Sequence, residues 1–233
     1  TPAIVGMMKL RRALQPLLHD LLWRHHAAFE PVTRPLWLDF PNDPECWRDG
    51  DTYLLGPDLL VAPALDPGVT EVEAYLPDGP RWIDLRDDRA HSGGRTVALP
   101  APASGLPPML AREGSALLID LSEPGFVQHP AQPAVLLYAP QGKGQLAWRG
   151  FDEREAGWPD PERPPLWAVD VVTTDSTIAI TAAWTGPEAP PSDHLDLIVP
   201  QTEQRAVTIN GAPVLWTEAD VLGVRRRLTR WTA

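Results

Sequence analysis

The stretch Arg34–Pro63, RPLWLDFPNDPECWRDGDTYLLGPDLLVAP, decides how this chain is read. Its apolar opening predicts a strand over Val32–Phe40. The segment from Pro41 to Asp51 then alternates Pro, Asp, Gly and Trp, and Asp-Pro and Asp-Gly are turn formers because Asp bonds its own backbone and Pro presets φ. Tyr53–Leu55 and Leu59–Leu65 resume as short apolar strands around the turn pair Gly56-Pro57. Strand, polar loop and strand within thirty residues point to a β domain.

Upstream, residues 8–29 carry the one strong helical pattern. Leu10, Leu14, Leu17, Leu18, Leu21 and Leu22 fall on one stripe at the i, i+3, i+4, i+7 spacing. Pro16 is expected to kink this helix, since it cannot donate to the carbonyl of Arg12. Pro31 disfavours its continuation beyond Glu30.

Downstream, Val69–Leu76, Arg81–Leu85, Thr96–Leu99, Pro108–Arg112 and Ala116–Asp120 read as strands with Pro, Gly and Asp between them. Pro130 and Pro133 mark a boundary. A second group follows: Ala134–Ala139, Gln145–Phe151, Leu166–Thr174, Thr177–Trp184, His194–Val199, Arg205–Asn210, Pro213–Thr217 and Gly223–Trp231. Ile178, Ile180, Ala182 and Trp184 share one face of a strand at period two. The fold class is mainly β: one N-terminal helix (1–30) followed by two β-sandwich domains (31–125 and 126–233).

Composition agrees. The 28 prolines in 233 residues deplete long helices, and 43% hydrophobic with 22% charged residues is ordinary for a globular chain. The net charge is −11; an acidic surface repels phosphate backbones, so nucleic acid is not an expected partner. Arg225, Arg226 and Arg227 form the one basic run and read as a solvated strand edge. No apolar run approaches the ~18 residues of a membrane span. Cys46 stands alone, which excludes an intrachain disulfide and leaves the compartment open.

Five ordered motifs carry a family resemblance. Lys9–Pro16 (KLRRALQP) resembles a conserved barrel helix, with Leu17 and Leu18 in place of the usual Tyr-Leu. Pro31–Leu36 (PVTRPL) runs into the quoted stretch and its LGPDLLVAP. Ala74–Gly79 (AYLPDG) with Trp82 and Asp84 resembles a strand pair, and His91–Gly94 (HSGG) the turn after it. Pro108–Ser115 (PMLAREGS) resembles a closing strand. Together they resemble the C-terminal portion of glycoside hydrolase family 31, the α-glucosidases and α-xylosidases. Phe151–Glu153 and Ile209–Gly211 resemble turns of its distal domain.

The resemblance implies that residues 1–30 are the last helix of a (β/α)8 barrel, followed by a proximal and a distal sandwich. It implies a parent that hydrolyses terminal α-linked sugars with retention, which needs two carboxyls roughly 5–5.5 Å apart. The family's two aspartate motifs, W-x-D-x-N-E and G-x-D-x-G-G, are not found here. No catalytic residue is therefore assigned, and the chain is expected to be inactive alone. Its oligosaccharide or glycoside partner is implied to bind through the barrel. Homo-oligomer contacts are a further expectation.

Other candidates read as structural. Asp87-Asp88 and Asp152-Glu153 are adjacent pairs, and neighbours on a strand face opposite ways. Asp43, Glu45, Asp49 and Asp51 lack calcium-loop spacing. His25 and His26 suit a helix C-terminus, and no zinc pattern is present. Neither metal nor organic cofactor is expected. Ser115 lacks a nucleophile elbow. Arg112 and Glu113 are expected to form an ion pair, and Arg34 to find an acidic or carbonyl partner. The alternative function is a stand-alone carbohydrate-binding module or a structural interaction domain. Trp148 and Trp158, flanking the irregular Gly150–Pro165 segment, are the candidate sugar contacts, whereas Trp37, Trp82, Trp167 and Trp184 are expected in cores.

Overall fold

The computed structural model describes residues 2–48, 50–102, 106–122, 132–151, 166–186, 189–190 and 192–232. The chain forms two compact units: Thr1–Arg11 with Pro31–Glu113 and Leu222–Val224, and Arg12–Glu30 with Gly114–Val221 and Arg225–Ala233. The helical stretch is divided into α1 (Pro2–Ala13) and α2 (Gln15–Ala28). The break falls at Leu14, just ahead of Pro16, which lies in the first turn of α2 where its missing N–H leaves no bond unmade. The expected kink is thus a full interruption. Helix α2 ends on Phe29 in the left-handed conformation, whose N–H bonds the carbonyl of His25 at 2.9 Å.

The first unit holds β1 (Thr33–Pro35), β2 (Tyr53–Leu55), β3 (Leu59–Val61), β4 (Glu71–Leu76), β5 (Arg81–Asp84), β6 (Ala90–Ser92), β7 (Arg95–Pro100) and β8 (Met109–Arg112). Six of them form a sheet in the order β1-β2-β3-β8-β5-β6, and β4 pairs with β7 as a separate ribbon. The core contains Leu54, Leu60, Leu76, Trp82, Leu99 and Leu110, joined by Leu36 and Phe40. Trp82 is fully buried, and its ring N–H donates to the carbonyl of Pro77 at 3.0 Å.

One sequence expectation fails here. Val32–Phe40 is a strand only through Pro35; Leu36–Asp39 is a single helical turn, α3. Leu36 and Phe40, four residues apart, bury together, while Trp37 and Leu38 point outward at 41 % and 40 % exposure. A helical turn puts i and i+4 on one side, whereas a strand would have put Leu36, Leu38 and Phe40 there. Strand β6 covers the start of His91–Gly94, which the sequence reads as a turn.

The second unit is a sandwich of two five-stranded sheets. Its strands are β9 (Ser115–Asp120), β10 (Pro133–Tyr138), β11 (Gly144–Phe151), β12 (Leu166–Thr173), β13 (Thr177–Trp184), β14 (His194–Pro200), β15 (Ala206–Ile209), β16 (Ala212–Pro213), β17 (Thr217–Val221) and β18 (Val224–Thr232). The orders are β17-β18-β14-β10-β9 and β11-β12-β13-β15-β16, with β10∥β14 and β13∥β15 the parallel pairs. The last strands depart from the sequence reading: Pro213–Thr217 falls between β16 and β17. Asn210 and Gly211, both at positive φ, make the two-residue connection from β15 to β16 that a tight hairpin demands. Asn210 also uses its amide to pair with the backbone N–H and carbonyl of Ala182 at 2.9 and 3.0 Å.

Inward residues of both sheets meet in one core: Val135, Leu137, Trp148, Trp167, Val169, Ile178, Ile180, Leu195 and Leu197. Helix α2 is fastened to this sandwich. Asp20, 3 % exposed, accepts the Phe151 N–H at 2.8 Å and the Arg24 Nε at 2.9 Å. Arg24 also donates to the carbonyl of Arg149 at 2.6 Å, and Trp23 stacks on Phe151 with centroids 5.2 Å apart. Of the leucine stripe, Leu14, Leu17 and Leu21 are buried, while Leu22 is 45 % exposed.

Candidate functional site

The loop that opened the sequence reading is organised by Asp43. As N-cap of a 3-10 turn, Pro44–Trp47, its Oδ1 accepts the Glu45 N–H at 3.1 Å. Its Oδ2 accepts the Tyr75 hydroxyl at 2.8 Å and the Asp78 N–H at 2.9 Å. One carboxylate therefore ties the loop to β4 and to the turn that follows it. Burial pushes the Asp43 carboxyl up, but the donors from Asp78, Tyr75 and Glu45 outweigh it and hold the group below the usual aspartate range. The same geometry silences Cys46: burial, and then the charge and hydrogen bond of Asp43, push the thiol up to about 12. A thiol so placed stays protonated and is no nucleophile at neutral pH.

Beside this hub lies a cleft of about 490 Å³, bordered by Pro35, Trp37, Glu45, Arg48, Asp51 and Thr96. Trp37 stacks on Trp47 with centroids 5.4 Å apart and planes 21° from parallel. Trp47 is 60 % exposed, and its ring N–H is held by the carbonyl of Pro41 at 3.0 Å. Arg48 pairs with Glu45 at 3.0 Å, the arginine side chain largely in solvent and the glutamate half-buried.

The other sequence candidates are placed as follows. Trp148, expected as a surface sugar contact, is a correction: it is 6 % exposed and part of the sandwich core. Its indole lies over Gly150, where an added Cβ would fall 2.0 Å from the ring, so the glycine leaves the room that the ring fills. Trp158, Asp152-Glu153 and Asp49 lie outside the described residues. Arg34 finds its partner in Asp39 at 2.6 Å. Glu113 pairs with Arg81 at 2.9 Å, and Arg112 lies over the ring of Phe40 at 5.3 Å.

Asp87 accepts the Arg89 N–H at 2.9 Å in a turn, and His25 faces the carbonyl of Glu30 at 3.0 Å. The basic run is also corrected. Arg226 is fully buried, donating to the carbonyl of Val221 and to the Tyr138 hydroxyl; Arg227 donates to Glu203 and covers Trp216, leaving Arg225 as the solvated one, paired with Glu218. Among the described residues, no three His, Cys, Asp or Glu side chains group as a metal site, and no helix is long and apolar enough to cross a membrane.

Sequence reasoning missed the Asp43 hub and the exposed Trp pair. The Asp43-Pro44 dipeptide two residues ahead of Cys46 carried a capping signal for the first. Nothing short of the helical turn at Leu36–Asp39 could have exposed the second.

Comparison with known proteins places this loop in a family. Residues 29–117 match the model of the glycosyl hydrolase family 31 C-terminal domain. The chain is 43% identical over 95 residues to the lysosomal alpha-glucosidase of Mus musculus, covering 41% of this chain and 10% of that protein. It is 40% identical over 98 residues to the neutral alpha-glucosidase AB of Homo sapiens, covering 42% and 10%. The chain thus spans about a tenth of these relatives. In fold it resembles a family 31 dextranase of Flavobacterium johnsoniae complexed with glucose, at TM-score 0.79 and 17% identity, covering 96% of this chain and 30% of that one. An alpha-xylosidase of the family from Xanthomonas citri gives TM-score 0.65 and 23% identity, covering 91% and 22%. Over residues 29–117, then, this chain carries a glycosyl hydrolase family 31 C-terminal domain, and its α-glucosidase relatives agree.

Proposed function

We propose that this chain is the C-terminal support of a retaining α-glycosidase that hydrolyses terminal α-linked glucosides or xylosides. The observation that carries the reading is the match of residues 29–117 to the family's C-terminal domain, on a fold shared along almost the whole chain with family members. On this reading α1 and α2 continue a catalytic barrel, and the two sandwiches are its proximal and distal supports. The two carboxyls needed for retention would come from the barrel. Hydrogen-bonded hubs such as Asp43 and Arg34–Asp39 then fix loop geometry rather than perform chemistry.

The test is a pair of assays on nitrophenyl α-glucoside and α-xyloside. The chain alone should give no turnover, and the protein extended by the upstream reading frame should give turnover with retained configuration. Hydrolysis by the chain alone would refute the supporting role. An extended protein that folds but hydrolyses neither glycoside would refute the glycosidase reading.

A further inference from the structure

Helix α2 occupies the edge of a sheet. Among the described strands β11 is the last of its sheet, with β12 on one side of it. On its other side, Arg24 of α2 donates to the Arg149 carbonyl at 2.6 Å and Asp20 accepts the Phe151 N–H at 2.8 Å. A strand added antiparallel to β11 would put a donor on that carbonyl and an acceptor on that N–H, the two groups that bracket Gly150. Arg24 supplies the donor and Asp20 the acceptor. They lie four residues apart on one face of the helix and pair with each other at 2.9 Å, so one turn of α2 stands in for the absent strand.

Backbone groups alternate sides along a strand, so the N–H and carbonyl of Gln145 and Ala147 face the same edge. Gln145, Ala147 and Arg149 are exposed there. Such an edge is a template for another chain, and its own residues fit a second copy of itself. Two β11 strands laid antiparallel about Ala147 set Gln145 opposite Arg149 of the other copy, Ala147 opposite Ala147, and Leu146 opposite Trp148. No like charges meet, Arg149 keeps its pairing with Asp170 at 2.7 Å, and the inward apolar residues stay aligned. The arrangement is two-fold and self-complementary. It also needs the Arg149 carbonyl, which Arg24 holds. We propose that α2 is an edge guard. Docked, it takes the Arg149–Phe151 end of the edge and keeps the chain single; released, it bares an edge on which a second copy pairs through its own β11, joining two five-stranded sheets. This goes beyond the supporting role and holds with or without a barrel upstream.

The test is the mass of the chain in solution by light scattering after size exclusion, with circular dichroism to check the fold. Wild type should run as a monomer. Asp20→Ala combined with Arg24→Ala removes both partners, so no lone buried charge remains, and should run at double that mass. Adding Ala147→Lys sets two ammonium groups against each other on the two-fold axis and should return the monomer. A wild-type dimer, a folded double variant of unchanged mass, or association that Ala147→Lys leaves intact each overturns the guard. Amide exchange followed by NMR tests it without substitution. The Phe151 N–H, held by Asp20, should exchange at least about tenfold more slowly than the Ala147 N–H. Equal rates would also overturn the guard.

Discussion

In the first unit Trp37 and Trp47 stand 41 % and 60 % exposed and stack on one another, whereas in the second Trp148 and Trp167 are 6 % and 0 % exposed in the sandwich core. The contrast is not one of unit, since Trp82 of the first is as buried as Trp167. It is one of local backbone. Trp82, Trp148 and Trp167 ride on strands, where every second side chain faces the core. Trp37 sits on a helical turn and Trp47 at the end of a 3-10 turn, where the chain can turn an indole away from the core entirely. The same residue type therefore fills the core in one setting and stays at the surface in the other.

The comparison breaks most visibly if Trp167 is replaced. It packs edge-on against Trp184 and Trp231 at 5.0 and 5.9 Å. Trp167→Ala should cost ~3–5 kcal/mol, by lost burial and the cavity left behind. Urea unfolding followed by circular dichroism reads it. A loss under ~1 kcal/mol would mean the indole does not hold the core.

Next in size is Asp43→Ala in the first unit. It strands the Tyr75 hydroxyl and the Asp78 N–H, and removes the cap of the 3-10 turn. The expected cost is ~2–3 kcal/mol, since orphaned partners lose more than the bond itself contributes. Asp43→Asn should recover part of it. Equal melting temperatures for Asp43→Ala and wild type would remove the hub from the account.

A smaller effect pairs the two units through acid. In the second, Glu203 accepts Arg205 through Nε at 2.8 Å, through Nη2 at 2.6 Å and through the backbone N–H at 3.0 Å. Burial pushes this carboxyl up, but Arg205 outweighs it and the net shift is downward, as for Asp43. A carboxyl whose folded pKa lies below its unfolded value stabilises the protein above the unfolded value, and that stability is lost as pH falls through the folded one. Stability should therefore decline below about pH 4. Glu203→Gln should cost ~1–2 kcal/mol at pH 7 and progressively less as the pH falls through the acid range. A cost that does not change with pH would show that charge is not what Glu203 contributes.

Much of this was legible in the chain. Ile178, Ile180 and Ala182 alternate inward as their spacing required, and the ordered motifs from Pro31 to Ser115 led to the family. Trp148 was legible in principle: Leu146, Trp148 and Gly150 share strand parity, and the misreading came from weighting the irregular segment after them. Leu36–Asp39 was not. Its apolar residues suit a strand equally well, and only the burial of Leu36 with Phe40 favours the turn. Arg226 was hidden differently. Three arginines in a row read as solvated, yet strand alternation turned the middle one inward, where a carbonyl and a hydroxyl receive it.

The smallest effect sharpens the contrast furthest. Trp47→Ala removes as large a side chain as Trp167→Ala, but from a surface where its outer face meets water. What is lost is one stacking contact with Trp37 and one hydrogen bond to Pro41. The stack is worth ~0.5–1.5 kcal/mol beyond area burial, but the cost should be near the low end, because water satisfies the Pro41 carbonyl and little apolar area is re-exposed. A loss of ~0.5 kcal/mol, a few degrees or less in melting temperature, is expected. A loss approaching that of Trp167→Ala would show that the loop depends on the pair for its shape. The pair would then be part of the loop's scaffold. Measured together, the two substitutions separate burial from display for a single residue type within one chain.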